Sequence, residues 1–185
     1  FNGVRKLEPA HALHLTAENP LARPREYWRP RFEPDRSKTE DQWLDELDHE
    51  ISESVKAQLV SDVPFGAFLS GGIDSSIVAY HMSRHLQQPV RTFTIGFDDA
   101  AYDESDQSAA VAKTIGADHH REVVHVNKYD LLDDLIFKLQ RHYGEPFADS
   151  SAIPTYCVAA MARQHVKMVL SGDGGDELFA GYNTY

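Results

Sequence analysis

The segment that most constrains the fold is a short apolar run that ends in a loop of serine and glycine. The run, residues 66–69, is followed by Ser-Gly-Gly at 70–72 and by Ile-Asp-Ser-Ser at 73–76. We predict a buried strand, a tight turn at the two glycines and a helix whose first turn contains Asp74. The free N–H groups and the dipole at the start of a helix attract anions. The segment therefore predicts a phosphate-binding loop, at which Asp74 can hold a divalent cation.

Strand-like and helix-like segments alternate along most of the chain. The predicted strands are residues 66–69, 90–95, 122–126 and 166–170, and the predicted helices begin near residues 39, 75, 104, 127, 153 and 177. This alternation predicts an α/β fold with a parallel sheet and helices on both faces.

A second glycine-rich loop, residues 171–177, follows the fourth predicted strand. Both glycine-rich loops should lie at the edge formed by the carboxyl ends of the strands, where ligands bind in such sheets. They can meet only if the first and fourth strands are neighbours. We therefore predict the strand order 3-2-1-4.

The helix that begins near residue 39 has a recognisable start. Thr39 with Gln42 three residues later forms a capping box. Apolar residues recur at steps of three and four, which predicts one buried face, at Trp43, Leu44, Leu47, Ile51, Val55 and Leu59. Gly116 is expected to end the helix over 104–115 as a C-terminal cap.

Residues 1–36 differ from the rest because they contain five prolines. We predict short strands at residues 4–7 and 13–15, and we interpret 1–36 as the end of a preceding β-rich domain plus a linker. Residues 37–185 form the second predicted domain. The first residue is not Met, and we expect the chain to be a fragment of a longer protein.

Charge and residue usage exclude several function classes. The formal net charge of −11 argues against a nucleic-acid surface. No apolar run is long enough to span a membrane. The single cysteine, Cys157, lies in an apolar pattern, so we expect a buried structural thiol in a reducing cytoplasm. The pair His119-His120 with His125 could bind metal, but their spacing favours surface or satisfied histidines.

The first loop lacks two common nucleotide motifs. No Gly-Lys-Ser/Thr follows the glycines, so the lysine of a Walker A loop is missing, and so is the Rossmann spacing. Ser-Gly-Gly-Ile-Asp-Ser-Ser after an apolar strand resembles instead the PP-loop of the N-type ATP pyrophosphatases, whose fold is adenine nucleotide alpha hydrolase-like. This resemblance implies cleavage of ATP between the α and β phosphates to form an adenylate.

The second loop narrows the resemblance to one family. Residues 171–182, with the sequence SGDGGDELFAGY, look like the matching segment of asparagine synthetases. Other segments similar to that family are residues 93–97, 102–104, 144–147 and 151–154, and residues 3–11 resemble the end of its N-terminal glutaminase domain. The resemblance implies a ligase that uses ATP and Mg²⁺ to activate aspartate as β-aspartyl-AMP, with release of pyrophosphate. Ammonia from glutamine then displaces AMP to give asparagine.

The resemblance also assigns roles to individual residues. Those that would hold the pyrophosphate are Ser70, Gly71, Gly72, Ser75 and Ser76. Those that would hold the adenosine are Leu69, Ile95, Ser171 and Gly172. Asp74 and Asp176 would bind Mg²⁺, and Asp173 matches an acidic position tied to adenylate formation. These three aspartates are the candidate catalytic residues, and Asp74 also counts among those that bind the nucleotide.

The acceptor and the partners stay open at this point. Some family members have Glu at Asp173, Ser at Gly175 and a basic loop at residues 149–151, so the acceptor can be a different carboxylate, as in polysaccharide or secondary-metabolite modification. A non-catalytic nucleotide-binding fragment is a further alternative, against which the three aspartates weigh. The expected partners are small molecules and a glutaminase domain of the same chain, and a homodimer is one expected assembly. We expect the isolated 185 residues to lack full activity.

Overall fold

A four-stranded parallel sheet lies in the larger of the two compact units of the chain. The computed structural model describes residues 2–98, 103–124, 129–144 and 149–182. Contacts divide the chain into residues 1–43 and 44–185. None of the described helices combines the length and the apolar character needed to cross a membrane.

The first unit contains one short antiparallel ladder. Strand β1 (His11–Ala12) pairs with β2 (Arg25–Glu26), with His11 opposite Glu26. The predicted strands at residues 4–7 and 13–15 are wrong, because neither segment is a strand. A strand needs a partner for its N–H and C=O groups, and the ladder in this unit uses residues between and after the predicted segments.

Helix α1 (Glu40–Gln58) begins as predicted. The Thr39 N–H donates to Gln42 Oε1 at 2.9 Å, and the Gln42 N–H donates to Thr39 Oγ1 at 3.3 Å. These two bonds confirm the capping box. The predicted apolar face is covered only in its second half, since Val55 is buried whereas Leu44 and Leu47 are exposed.

The second unit follows the alternation that the sequence predicts. After α1 its elements are β3 (Phe65–Phe68), α2 (Ile73–His85), β4 (Arg91–Phe97), α3 (Ser105–Ile115), β5 (Asp118–Val124), α4 (Tyr129–Tyr143), α5 (Ala152–Ala162), β6 (Met168–Leu170) and α6 (Gly175–Phe179). The sheet order is β5-β4-β3-β6, with every pair parallel. In chain order these strands are 3-2-1-4, which confirms the prediction.

Alternate residues of β3 face helices on opposite sides of the sheet. Ala67 is fully buried in a cluster with residues of α1 and α2, such as Val55 and Met82. The next residue, Phe68, packs in another cluster with Phe93 of β4 and residues of α5. Because successive side chains of a strand point to opposite faces, the sheet has helices on both faces, as predicted.

Several element boundaries differ from the prediction, among them the starts of β5 and α6. Strand β5 begins at Asp118, four residues before the predicted start, because the Asp118 N–H donates to the Val90 carbonyl at 2.9 Å and the parallel ladder starts there. Helix α6 begins at Gly175 rather than near 177. Gly116 caps α3 with a left-handed backbone (φ 67°), as predicted. The predicted helix start near residue 127, the histidine at position 125 and residues 145–148 lie outside the described residues.

Candidate functional site

The first glycine-rich loop is organised by its own serines. Ser70 Oγ lies 2.9 Å from Ser75 Oγ, and the Ser70 N–H donates to the same Ser75 oxygen at 3.2 Å. The Gly72 N–H donates to Ser70 Oγ at 3.2 Å, and the Ser76 hydroxyl donates to the Gly72 carbonyl at 2.6 Å. These bonds draw the loop and the first turn of α2 together. Hydroxyl and N–H groups that could bind an anion are therefore collected in one place.

The loop is attached to the sheet at Leu69. The Leu69 side chain is buried, and its N–H donates to the Phe93 carbonyl of β4 at 3.0 Å. The Leu69 carbonyl accepts a short hydrogen bond from the Thr94 hydroxyl. Ile95, next along β4, is half-buried. Leu69 and Ile95 therefore lie beside the point at which the loop leaves the sheet.

Helix α3 packs against the first loop at Gly71. A Cβ added at Gly71 would stand 2.8 Å from Ser108 N and 2.9 Å from Gln107 Cβ, so the loop backbone lies directly on the start of α3. Asp103, just before this helix, accepts hydrogen bonds from the N–H and the hydroxyl of Ser105. These bonds hold the pKa of the Asp103 carboxyl below its usual range, and Arg121 nearby acts in the same direction.

The second glycine-rich loop carries its own internal bonds. The Ser171 hydroxyl donates to Asp173 Oδ2 at 2.8 Å, which fixes this exposed carboxylate beside the end of β6. The Gly175 N–H donates to the Gly172 carbonyl at 3.1 Å and closes the turn. Helix α6 follows at once, with the half-buried Asp176 in its first turn.

The two loops touch each other. A Cβ added at Gly172 would stand 2.7 Å from Ser75 N and 2.9 Å from Asp74 Cβ. A Cβ added at Gly175 would stand 2.5 Å from Asp74 Oδ2. The carboxylate of Asp74 therefore lies against the backbone of the second loop, and the start of α2 lies against Gly172.

The carboxylate and backbone of Asp176 contact Gly181. The Asp176 backbone carbonyl accepts from the Gly181 N–H at 3.0 Å, and the Asp176 carboxylate approaches Gly181 so closely that no Cβ would fit there. In the described part of the chain, no three His, Cys, Asp or Glu side chains form a group that could hold a metal ion. The structure thus brings Asp74 to the junction of the loops, and a metal shared by Asp74 and Asp176 stays a prediction.

Two residues of this site have no signal in the local sequence, and a third, Thr94, is marked only as part of the family-like segment 93–97. Thr94, Gln107 and Ser108 contact the first loop, yet none belongs to a glycine-rich or acidic motif. The strand register could have found Thr94, because Ala67 pairs with Thr92 and Phe68 with Phe93, which brings Thr94 level with Leu69. The contacts of Gln107 and Ser108 depend on where α3 packs.

The histidine pair lies on β5, away from the loops. The Thr92 hydroxyl and His119 Nδ1 are 2.9 Å apart, and the His120 ring stacks on Phe93 with centroids 5.3 Å apart. Burial lowers the pKa of His119, and the neighbouring His120 and Arg121 lower it further. Both Nε2 atoms are buried without a hydrogen-bond partner, although His120 Nε2 lies 3.4 Å from Asp118 Oδ2. The expectation of surface or satisfied histidines therefore holds only in part.

The environment of Cys157 fits a structural thiol. The residue lies half-buried in α5. Burial raises the pKa of the thiol, and the nearby Glu122 carboxylate raises it further. A nucleophilic cysteine needs a lowered pKa, so this environment opposes such a role.

Comparison with known proteins matches most of the chain to one family. The family model for asparagine synthase matches residues 46–185. "Asparagine synthetase [glutamine-hydrolyzing] 1" of Bacillus subtilis is 35% identical over 182 residues, which are 98% of this chain and 28% of that protein. A putative asparagine synthetase of Methanocaldococcus jannaschii is 38% identical over 189 residues, covering 100% of this chain and 35% of that protein. The chain thus spans about a third or less of the length of these relatives.

An NH3-dependent NAD synthetase from Campylobacter jejuni gives a TM-score of 0.48 at 18% identity, over 79% of this chain and 62% of that one.

Proposed function

Because this chain belongs to the asparagine synthase family, we propose that it forms the nucleotide-binding part of a ligase that makes an amide from a carboxylate, ATP and ammonia. The observation that carries the proposal is the contact between the two glycine-rich loops, where Gly172 and Gly175 approach Asp74 and Ser75. The first loop gathers anion-binding groups, and the second loop, whose backbone touches the carboxylate of Asp74, carries Asp173 and Asp176. Such a pairing suits a reaction in which a polyphosphate is cleaved next to a second substrate.

The reaction that we propose has two steps. The side-chain carboxylate of aspartate attacks the α-phosphate of ATP, which forms β-aspartyl-AMP and releases pyrophosphate. Ammonia then attacks the activated carbonyl carbon, loses a proton and displaces AMP, which leaves asparagine. The absence of a Walker lysine in the first loop agrees with cleavage at the α-phosphate rather than transfer of the γ-phosphoryl group.

The residues of the first loop would bind the departing pyrophosphate. Ser70, Ser75 and Ser76 offer hydroxyls, and Gly71 and Gly72 allow the backbone to approach the phosphates. In the present structure the serines bond to one another and to Gly72. These bonds hold the hydroxyls together, ready to exchange an internal partner for a phosphate oxygen.

The adenosine would lie on the other side of the junction, against Leu69, Ile95, Ser171 and Gly172. Asp173, held by the Ser171 hydroxyl at 2.8 Å, is placed beside Ser171 in the second loop. We propose that it acts in the adenylation step, as its counterpart does in the family.

The donor chemistry fits a magnesium ion. Asp74 and Asp176 are half-buried carboxylates, and Mg²⁺ prefers oxygen ligands of this kind. These two residues would hold the ion, and when bound it would spread the negative charge of the leaving pyrophosphate. The closeness of Asp74 to the second loop supports this role for Asp74 in particular.

The whole protein would draw its ammonia from glutamine. The relatives are named glutamine-hydrolyzing, and residues 1–36 would be the end of a glutaminase-type domain plus a linker, ahead of the synthetase domain at 37–185. We further propose a cytoplasmic location and a homodimer.

Pyrophosphate release tests the proposal. The complete protein that contains these 185 residues would be given ATP, Mg²⁺, ammonia and one candidate acid at a time. We expect release with aspartate, accompanied by asparagine. Release only with another acid would replace aspartate as the acceptor while keeping adenylation, and no release with any acid would refute the ligase and favour a non-catalytic nucleotide-binding protein.

A further inference from the structure

The first loop leaves the sheet at a point where a side chain takes part in the backbone pairing. Strand β3 pairs with β4 through Ala67 and Phe68, and the Leu69 N–H still donates to the Phe93 carbonyl at 3.0 Å. On the other side of the same residue, the Leu69 carbonyl accepts a short bond from the Thr94 hydroxyl. Leu69, the last residue before Ser70, is thus held to β4 by one backbone bond and one side-chain bond.

Both partners of the side-chain bond are buried. Thr94 is 4% exposed and Leu69 is 1% exposed. A buried carbonyl that loses its hydrogen-bond donor is destabilised, because it stays desolvated and has no partner. The peptide would therefore turn or shift until the carbonyl finds another donor. Because Ser70 is the next residue, any such movement passes directly to the phosphate loop.

We propose that Thr94 is a positioning residue for the phosphate loop, acting through the Leu69 carbonyl. The proposal rests on the proposed function, in which residues 70–76 hold the pyrophosphate of ATP. Thr94 touches neither ATP nor the reacting atoms in this scheme. Its hydroxyl holds the Leu69 carbonyl against β4, where the chain leaves the sheet. The position of Leu69 in turn sets the positions of Ser70 and of the turn that follows it.

Thr92 provides a matched control within the same strand. It faces the same side as Thr94, is fully buried, and its hydroxyl lies 2.9 Å from His119 Nδ1 rather than against the loop. Thr92→Val and Thr94→Val therefore remove the same hydroxyl from equally buried sites of one strand. Only the second change removes a bond to Leu69, the residue that precedes the phosphate loop.

The test uses the complete protein with four variants: Thr94→Val, Thr94→Ser, Thr94→Ala and Thr92→Val. Thermal unfolding, ATP binding by equilibrium dialysis with Mg²⁺, and steady-state pyrophosphate release would be measured on each. A displacement of about 1 Å in a catalytic arrangement can cost about a hundredfold in rate. We expect Thr94→Val to lower kcat/KM for ATP by about tenfold or more, with the KM for ammonia unchanged.

The variants separate positioning from a general loss of stability. Thr94→Ser keeps the hydroxyl and should restore most of kcat/KM for ATP, whereas Thr92→Val should be destabilised with nearly normal kinetics. If Thr94→Val does not fold, Thr94→Ser and Thr94→Ala make the same comparison, since they differ by one oxygen. Equal kinetics of Thr94→Val and Thr92→Val, or of the Ser and Ala variants, would overturn the proposal.

Failure of the proposed function gives a different pattern. If the unchanged protein releases no pyrophosphate with any acid but binds ATP, the proposed ligase function is refuted. The positioning role of Thr94 is then tested by ATP binding alone. Weaker ATP binding by Thr94→Val than by Thr92→Val then supports the positioning role, and equal binding refutes it. A protein that binds no ATP at all would overturn both proposals.

Discussion

Replacing Gly172 by Ala should push the two glycine-rich loops apart. A Cβ at this position would stand 2.7 Å from Ser75 N and 2.9 Å from the carbonyl carbon of Asp74. Ordinary van der Waals contacts of a Cβ begin near 3.4 Å. Both neighbouring atoms belong to the backbone of α2, so neither can move aside by a change of rotamer. The loops must separate by about 0.7 Å, the difference between 3.4 and 2.7 Å.

This separation sets the expected size of the effect. Forcing an extra carbon into a packed contact costs about 1–3 kcal/mol in stability. A shift approaching 1 Å between parts of a catalytic site can lower the rate by up to about a hundredfold. We therefore expect Gly172→Ala to lose about 1–3 kcal/mol of unfolding free energy and to release pyrophosphate about ten- to a hundredfold more slowly.

Gly116 supplies the control for this experiment. Its backbone is left-handed (φ 67°), and a Cβ there would meet nothing within 4 Å. Ala at this position should cost about 1–2 kcal/mol from the backbone conformation alone, with no change in activity per folded molecule. The two variants would then have similar stability and different catalysis.

Urea unfolding and pyrophosphate release on the complete protein would measure both quantities. If Gly172→Ala is as stable and as active as the unchanged protein, the loops are not in contact at this position. If Gly116→Ala loses as much activity per folded molecule as Gly172→Ala, the loss follows stability alone and not the separation of the loops.

Three further changes test other parts of the structure. Asp74→Ala should abolish pyrophosphate release while circular dichroism and unfolding stay close to normal, since the carboxylate would hold Mg²⁺; unchanged activity would exclude that role. Thr39→Ala removes half of the capping box and should cost about 1 kcal/mol in urea unfolding, and an unchanged midpoint would show that the box contributes nothing. The pKa of His119 is lowered in the folded chain, so the unfolded chain binds the proton more readily and stability should fall as pH drops through the ordinary histidine pKa near 6.5. His119→Gln should flatten this dependence between pH 5 and 7, and an identical pH dependence in the variant would contradict the assignment.

The strand order could be predicted because two motifs needed to be neighbours. Each glycine-rich loop follows an apolar strand, and the two loops reach adjacent positions at one edge when the first and fourth strands are neighbours, as in the order 3-2-1-4. The sheet β5-β4-β3-β6 has that order. The capping box at Thr39 was also predictable, because it depends on two residues three apart and on no distant contact.

The start of β5 could not be predicted from local pattern. Residues 118–121 are Asp-His-His-Arg, which lacks the apolar alternation of a half-buried strand. They form a strand because β5 lies at the edge of the sheet, where its polar side chains are only partly covered. The exposed Leu44 and Leu47 of α1 show the opposite case, since their helical spacing predicts burial whereas only the later turns of α1 pack on the sheet.

The glycines of the second loop show why a motif alone does not reveal a site. From sequence, all of them are explained equally well by a tight turn. In the structure Gly174 has a left-handed backbone (φ 93°) with open space around its Cβ position. Gly172 and Gly175 are needed for a different reason, because Asp74 and Ser75, about a hundred residues earlier in the chain, occupy the space that a side chain would fill. The tight turn alone explains a glycine of the first kind, such as Gly174, and no ligand is needed. The second kind shows the close approach of a carboxylate and a helix start to another loop, and that approach is the basis on which we propose a common chemical role for the two motifs.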